Sequence, residues 1–166
     1  MDIKVSEKFS KVDSLFVFVP EQKWNKKYYE KLLPTGLNKQ IAQHISEKNF
    51  EGKPEELLQC FPAEKETKKT FLVGVGKDPK DTRSIEKAAA TAIKKAQKIK
   101  AGKVSFLLSS QMSDLAAIMG TLLGKYDFKV VTKPEKEATM QVTIITPTPS
   151  EKKLVASQIA LGEAAN

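Results

Sequence analysis

The sequence predicts an α/β fold of three layers, a mostly parallel mixed sheet flanked by helices. Three observations carry this reading. Apolar runs of strand length alternate along the chain with stretches of helical period. The run Leu15-Phe-Val-Phe-Val19 is apolar at consecutive positions, the pattern of a strand buried on both faces. Helical segments separate the strand patterns, and such crossovers are what parallel neighbours require.

Taken in order, residues 3–6 form a short first strand, and the run over 15–19 is a second that Pro20 ends. Residues 25–33 are amphipathic and stop before Pro34, which predicts a helix there. Leu37, Ile41 and Ile45 (i, i+4, i+8) form one stripe and predict a helix over 37–48. Glu51-Gly-Lys-Pro54 is a turn, a strand is expected over 57–61, and the charged stretch 63–69 is expected as a solvated hairpin loop. Thr70-Phe-Leu-Val-Gly-Val75 has the clearest strand pattern in the chain.

After the turn Lys77-Asp-Pro-Lys-Asp81, either Asp81 or Thr82 caps a helix over 84–100. Its apolar face is Ile85, Ala88, Ala89, Ala92, Ala96 and Ile99, while Lys87, Lys94, Lys95 and Lys98 fall largely outside it. The alanines permit close approach to a sheet, and Gly102 is expected to end the helix. Residues 104–108 are the next strand. Ser113 or Asp114 caps a helix to Gly124, and residues 142–145 are the last strand, closed by Pro147 and Pro149. A final helix over 150–166 has Leu154, Val155, Ile159 and Ala160 as its apolar residues. It carries no stop signal, so it reads as cut and the chain as a fragment of something longer. No repeat or linker divides the chain, and a single domain over 1–166 is expected.

Composition bounds the class of protein. The chain has 166 residues, 40% of them apolar, with 8 Gly and 8 Pro. That excludes collagen-like and low-complexity architectures and argues against disorder. A chain of this length buries roughly 70% of its unfolded surface and needs no disulfide to fold. Cys60 is the single cysteine, which fits a reducing cytoplasm. The start Met-Asp-Ile-Lys-Val has no basic segment followed by an apolar one, and no apolar run approaches the ~20 residues of a membrane span. A soluble, cytoplasmic protein without membrane contact is expected. The net charge of +8 raises the question of a nucleic-acid partner, but Arg83 is the only arginine. Phosphate recognition favours the bidentate guanidinium, so a lysine excess of this kind reads as a solvated surface.

Candidate chemistry is sparse. His44 is the only histidine and sits mid-helix without a second His or Cys nearby, which reads as structural or solvent-facing. Cys60 lies beside a strand with only Lys and Glu near it in sequence, which reads as a buried inert thiol. Gly74-Val-Gly-Lys77 follows a strand and precedes a helix, where backbone amides can cradle phosphate. The third glycine of a dinucleotide fingerprint and the Ser/Thr of a Walker A loop are both missing. The incomplete motif favours a tight turn that uses glycine backbone freedom, with Gly74, Gly76 and Lys77 as a phosphate-type site the second reading. Glu55/Glu56, Glu64/Glu66 and Glu135/Glu137 lie in Lys-rich loops and read as solvated charge. Neither HExxH, CxxC nor Gly-x-Ser-x-Gly occurs, so no catalytic or metal-binding residue is assigned.

Three ordered stretches carry a family resemblance. The first is Thr70-Phe-Leu-Val-Gly-Val-Gly-Lys77 followed by the helix around Glu86-Lys-Ala-Ala-Ala90. The second is Gly120-Thr-Leu-Leu-Gly-Lys-Tyr-Asp-Phe-Lys129, and the third is Gly162-Glu-Ala-Ala-Asn166. Together they resemble the N-terminal domain of the leucyl aminopeptidases, the cytosol aminopeptidase family. After Phe128-Lys129 the family often carries a Tyr where this chain has Val130-Val131.

The resemblance implies a parent metalloaminopeptidase that removes N-terminal residues from peptides. Its catalytic apparatus, with two divalent metals (zinc or manganese), would lie in a C-terminal domain whose signature is absent from this chain. No cofactor is therefore expected here. The family further implies a homo-hexamer whose N-domains lie outward and serve assembly and control of substrate access. The expected partners are the protein's own catalytic domain, sister subunits and the parent's peptide substrates. The implied fold is macro-domain-like, which leaves a nucleotide or ADP-ribose-binding module as an alternative. Weak DNA binding, known for some bacterial members, is a further one, and it predicts affinity that falls with salt.

Overall fold

The computed structural model describes residues 1–22, 24–30, 32–60, 67–129 and 140–164. In chain order the elements are β1 (Asp2–Ser6), β2 (Val12–Pro20), α1 (Lys26–Tyr29), α2 (Thr35–Ser46), β3 (Leu57–Cys60) and β4 (Thr67–Gly76). Then come α3 (Thr82–Lys98), β5 (Lys103–Leu107), α4 (Asp114–Lys129), β6 (Gln141–Ile145) and α5 (Lys152–Ala164). One six-stranded sheet has the order β1-β6-β5-β2-β4-β3. Every neighbouring pair is parallel except β3 with β4. The α/β class and the mostly parallel mixed sheet are as the alternation of patterns predicts.

β2 explains the consecutive apolar run. It lies between β4 and β5 and is covered on both faces, so every position from Leu15 to Val19 is buried. Phe16 and Phe18 point into one core, with Phe71, Phe106 and the inner faces of α3 and α4. The Phe16 ring stacks on Phe71 at 4.8 Å and meets Phe106 edge-on at 5.6 Å. Leu15, Val17 and Val19 point into the opposite core, with Leu37 and Ile41 of α2 and the side chains Trp24, Tyr29 and Phe50. The second face of the sheet is thus sealed by α2 and the segments around it, which completes the three layers.

α3 buries Ile85, Ala88, Ala89, Ala92, Ile93 and Ala96. Asp81 is its cap, accepting from the Arg83 amide at 3.0 Å and the Ser84 hydroxyl at 3.2 Å. Its small side chains let α4 come very close. A Cβ on Gly120 would strike the Glu86 carbonyl oxygen, and one on Gly124 would lie 2.6 Å from Ile93 Cγ2. That packing corrects the expected stop at Gly124: the glycine is a contact point, and α4 runs on to Lys129. Ser113 caps α4, its hydroxyl accepting from the Ala116 amide at 3.1 Å.

Other boundaries differ for identifiable reasons. α1 is one turn over Lys26–Tyr29 rather than a helix over 25–33, because the Leu32 and Leu33 amides both turn back to the Tyr29 carbonyl and Pro34 takes the capping position of α2. α2 starts at Thr35 and ends at Ser46. Gly102 does not end α3. Lys100 takes the left-handed conformation (φ 57°), with the Lys100 amide on the Gln97 carbonyl and the Ala101 amide on the Ala96 carbonyl. Lys48 (φ 59°) ends α2 the same way. The expected hairpin loop over 63–69 gives way to strand from Thr67 onward. The rest of that loop, with Glu64 and Glu66, lies outside the described residues, as do Phe61 at the end of the strand expected over 57–61, Glu135, Glu137 and Asn166.

Candidate functional site

The C-terminal edge of the sheet gathers the polar loops. β4 ends in Gly74-Val-Gly76, and both glycine amides are engaged within the chain. Gly74 donates to the Glu56 carbonyl at 2.8 Å and Gly76 to the Gly52 carbonyl at 2.8 Å, while the Gly76 carbonyl accepts from the Glu21 amide at 2.9 Å. The segment 51–56 therefore lies directly along the strand end. A Cβ on Gly74 would collide with the Lys53 carbonyl oxygen, and Gly76 has φ +98°, a left-handed conformation.

Glu56 holds that segment in place. Its Oε1 accepts from the consecutive amides of Glu51, Gly52 and Lys53 at 3.1, 2.9 and 3.0 Å. Successive amides facing one point make a concavity suited to an anion, and here the chain's own carboxylate fills it. Glu56 was expected to be solvated charge; its bonding role depends on a fold-back that its sequence neighbours do not signal. Lys77 is exposed, and the start of α3 already carries the Asp81 carboxylate. Exposed Lys53 pairs with Glu51 at 3.1 Å, which holds its ammonium pKa above the usual lysine range.

A cavity of about 190 Å³ opens beside this edge, between the loops that follow β2 and β5. These strands are parallel neighbours, with Phe16 opposite Phe106. From β2 the chain turns to the α2 face, and from β5 to the α4 face. Such a parting of connections leaves a crevice at the carboxyl ends of the strands. Pro20, Trp24 and Tyr29 line one side, and Ser109 and Gln111 the other. The Trp24 and Tyr29 rings stack at 4.0 Å and 6°. The polar triplet Ser109-Ser110-Gln111 directly after a buried strand is the sequence signal that could have pointed here.

Farther along, Asp114 accepts from the Ser150 amide at 2.7 Å and the Ser150 hydroxyl at 2.6 Å, tying the start of α4 to the approach to α5. His44 is half-buried on α2, and its Nδ1 has no hydrogen-bond partner. Cys60 is buried, and desolvation pushes its thiol up to about 11, so the thiolate nucleophile is suppressed at neutral pH. Neither residue is brought to the cavity. Among the described residues no group of three or more His, Cys, Asp or Glu side chains is placed to hold a metal ion. No described helix is long and apolar enough to cross a membrane.

A macrodomain from Oceanobacillus iheyensis, solved with MES bound, superposes with a TM-score of 0.63 at 10% identity over 99% of this chain and 92% of its own, a likeness of fold. A mutant tomato leucine aminopeptidase superposes with a TM-score of 0.71 at 16% identity over 98% of this chain. The bottromycin maturation enzyme BotP, solved in complex with Mn, gives 0.56 at 15% identity over 92%. A sequence search of curated proteins finds no match. The family model for the cytosol aminopeptidase family, N-terminal domain, matches residues 15–134. The chain belongs to that family and represents its N-terminal domain. It spans 35% of the tomato chain and 30% of BotP.

Proposed function

We propose that this chain is the non-catalytic N-terminal domain of a cytoplasmic, metal-dependent leucyl aminopeptidase, a single folding unit over 1–166. In this reading a separate catalytic domain with two divalent metals, zinc or manganese, activates the water that cleaves N-terminal residues from peptides. The N-domain serves assembly of the hexamer and governs substrate access. The Gly74–Gly76 turn serves the close approach of segment 51–56, and Lys77 stays with the solvent.

The observation that carries the docking role is the distribution of exposed apolar side chains. Among the described residues the exposed large hydrophobics are Leu123 at 44%, Leu154 at 50% and Leu161 at 62%. All three lie on α4 and α5. α5 packs Val155 and Ile159 inward and seats Gly162 against Leu122, while Leu154 and Leu161, seven residues apart, form the neighbouring stripe. We place the contact with the rest of the enzyme on this face.

Two measurements test the reading. The chain, given leucine p-nitroanilide and manganese, is expected to show no turnover above buffer; turnover would put the chemistry in this domain. In the full-length enzyme, Leu154→Asp with Leu161→Asp is expected to reduce assembly by light scattering while the domain's own melting holds. An unchanged mass would move the interface elsewhere.

A further inference from the structure

The cavity at the carboxyl ends of β2 and β5 has no part in the aminopeptidase reading. We propose that it binds an uncharged, planar heterocycle of nucleobase size, held by its edge beside the Trp24–Tyr29 stack. The inference stands independently of the family.

Position is the first support. The crevice exists because the connections after two adjacent parallel strands part to opposite faces, which is where open α/β sheets accept ligands. Chemistry of the walls is the second. Pro20, Trp24 and Tyr29 give apolar surface, and Gln22 and Gln111 add carboxamides to the Ser109 hydroxyl. A carboxamide presents a donor and an acceptor side by side, which matches a ring edge carrying the complementary pair. The described lining residues are all uncharged, a lining that matches an uncharged ring better than a phosphate or carboxylate.

Size is the third support. About 190 Å³ falls below the ~300–1,000 Å³ of pockets for drug-sized ligands and suits one ring system. Rigidity is the fourth. The Trp24 indole N–H is held by Asn38 at 2.7 Å, and Asn38 also binds the Lys26 carbonyl at 2.9 Å. The aromatic wall is therefore set before a ligand arrives, which lowers the ordering cost of binding.

Trp24 is the only tryptophan, so the labelled chain gives a single indole ¹⁵N–¹H resonance, from a ring that lines the cavity. Adenosine, guanosine and uridine are each titrated to millimolar concentration against the labelled chain. A saturable shift with at least one nucleoside is expected. AMP should bind no tighter than adenosine. Ser109→Leu, which fills the cavity, should weaken binding about tenfold or more while the rest of the spectrum is retained. Gln111→Ala should weaken it in the same direction and serves if the leucine variant fails to fold. No saturable shift with any of the nucleosides overturns the proposal, as does binding that survives both substitutions in folded protein. A markedly tighter AMP complex would overturn the assignment of an uncharged ligand.

Discussion

The indole N–H of Trp24 donates to Oδ1 of Asn38 across 2.7 Å inside the core. Asn38 is buried on α2, and its amide nitrogen binds the Lys26 carbonyl at 2.9 Å. One carboxamide thereby joins the segment after β2 to the helix that seals the sheet. Asn38→Leu keeps similar bulk and leaves both partners unsatisfied. A loss of about 1–3 kcal/mol is expected in urea unfolding, with the tryptophan emission shifted to the red. A variant as stable as the parent, with unshifted emission, would show that the bond holds nothing.

Glu56 plays the matching part at the other end of the edge. Its Oε1 receives three consecutive amides, and the loop it shapes supplies the Gly52 and Glu56 carbonyls that take the Gly76 and Gly74 amides. Glu56→Ala is expected to cost about 1.5–3 kcal/mol, the range of hydrogen bonds to a charged group. Glu56→Gln retains an acceptor oxygen and should recover part of the loss. Equal loss in both variants would mean that the carboxylate's charge, not its position, carries the loop.

The legible part of this fold was the part written in local periodicity. The run over 15–19 and the alanine face of α3 announce themselves because burial on two faces, or along one stripe, acts on consecutive residues. α1 defeated the same logic: residues 25–33 have helical period, yet Pro34 is needed as the start of α2, so the chain turns at Tyr29. The spacing of Gly74 and Gly76 marks a turn, but its reason, the close lie of segment 51–56, is a tertiary fact. So is the cavity, which depends on β2 and β5 becoming neighbours although much of the chain separates them.

Helix ends show the same limit and yield a further prediction. Lys48 and Lys100 occupy left-handed positions (φ 59° and 57°) that glycine takes at lower cost, while the obvious glycine signal sits at Gly102. Lys100→Gly should stabilise the chain by about 1 kcal/mol, because it removes the clash of Cβ with the following carbonyl. Lys48→Gly should behave likewise. Thermal unfolding of each variant checks this, and a fall in melting temperature for both would contradict the assigned end geometry.

Cys60 gives the pH dependence. It is buried among Leu72, Val12 and other apolar side chains, and desolvation raises its thiol from its ordinary 9.0 to about 11. Between these values the unfolded chain has shed the thiol proton and the native chain retains it. The native state then binds more protons, so stability falls as pH rises. The thiol's contribution is complete below pH 9.0 and lost as the pH passes about 11. A shift of this size corresponds to about 2–3 kcal/mol. Cys60→Ala removes the group from both states, so its stability deficit against the parent should narrow from neutral pH toward about 11. Lysine titrations are common to both proteins and cancel in the difference. Denaturation midpoints measured across that window decide the matter: parallel curves for parent and variant would show that the thiol is not protonated by burial.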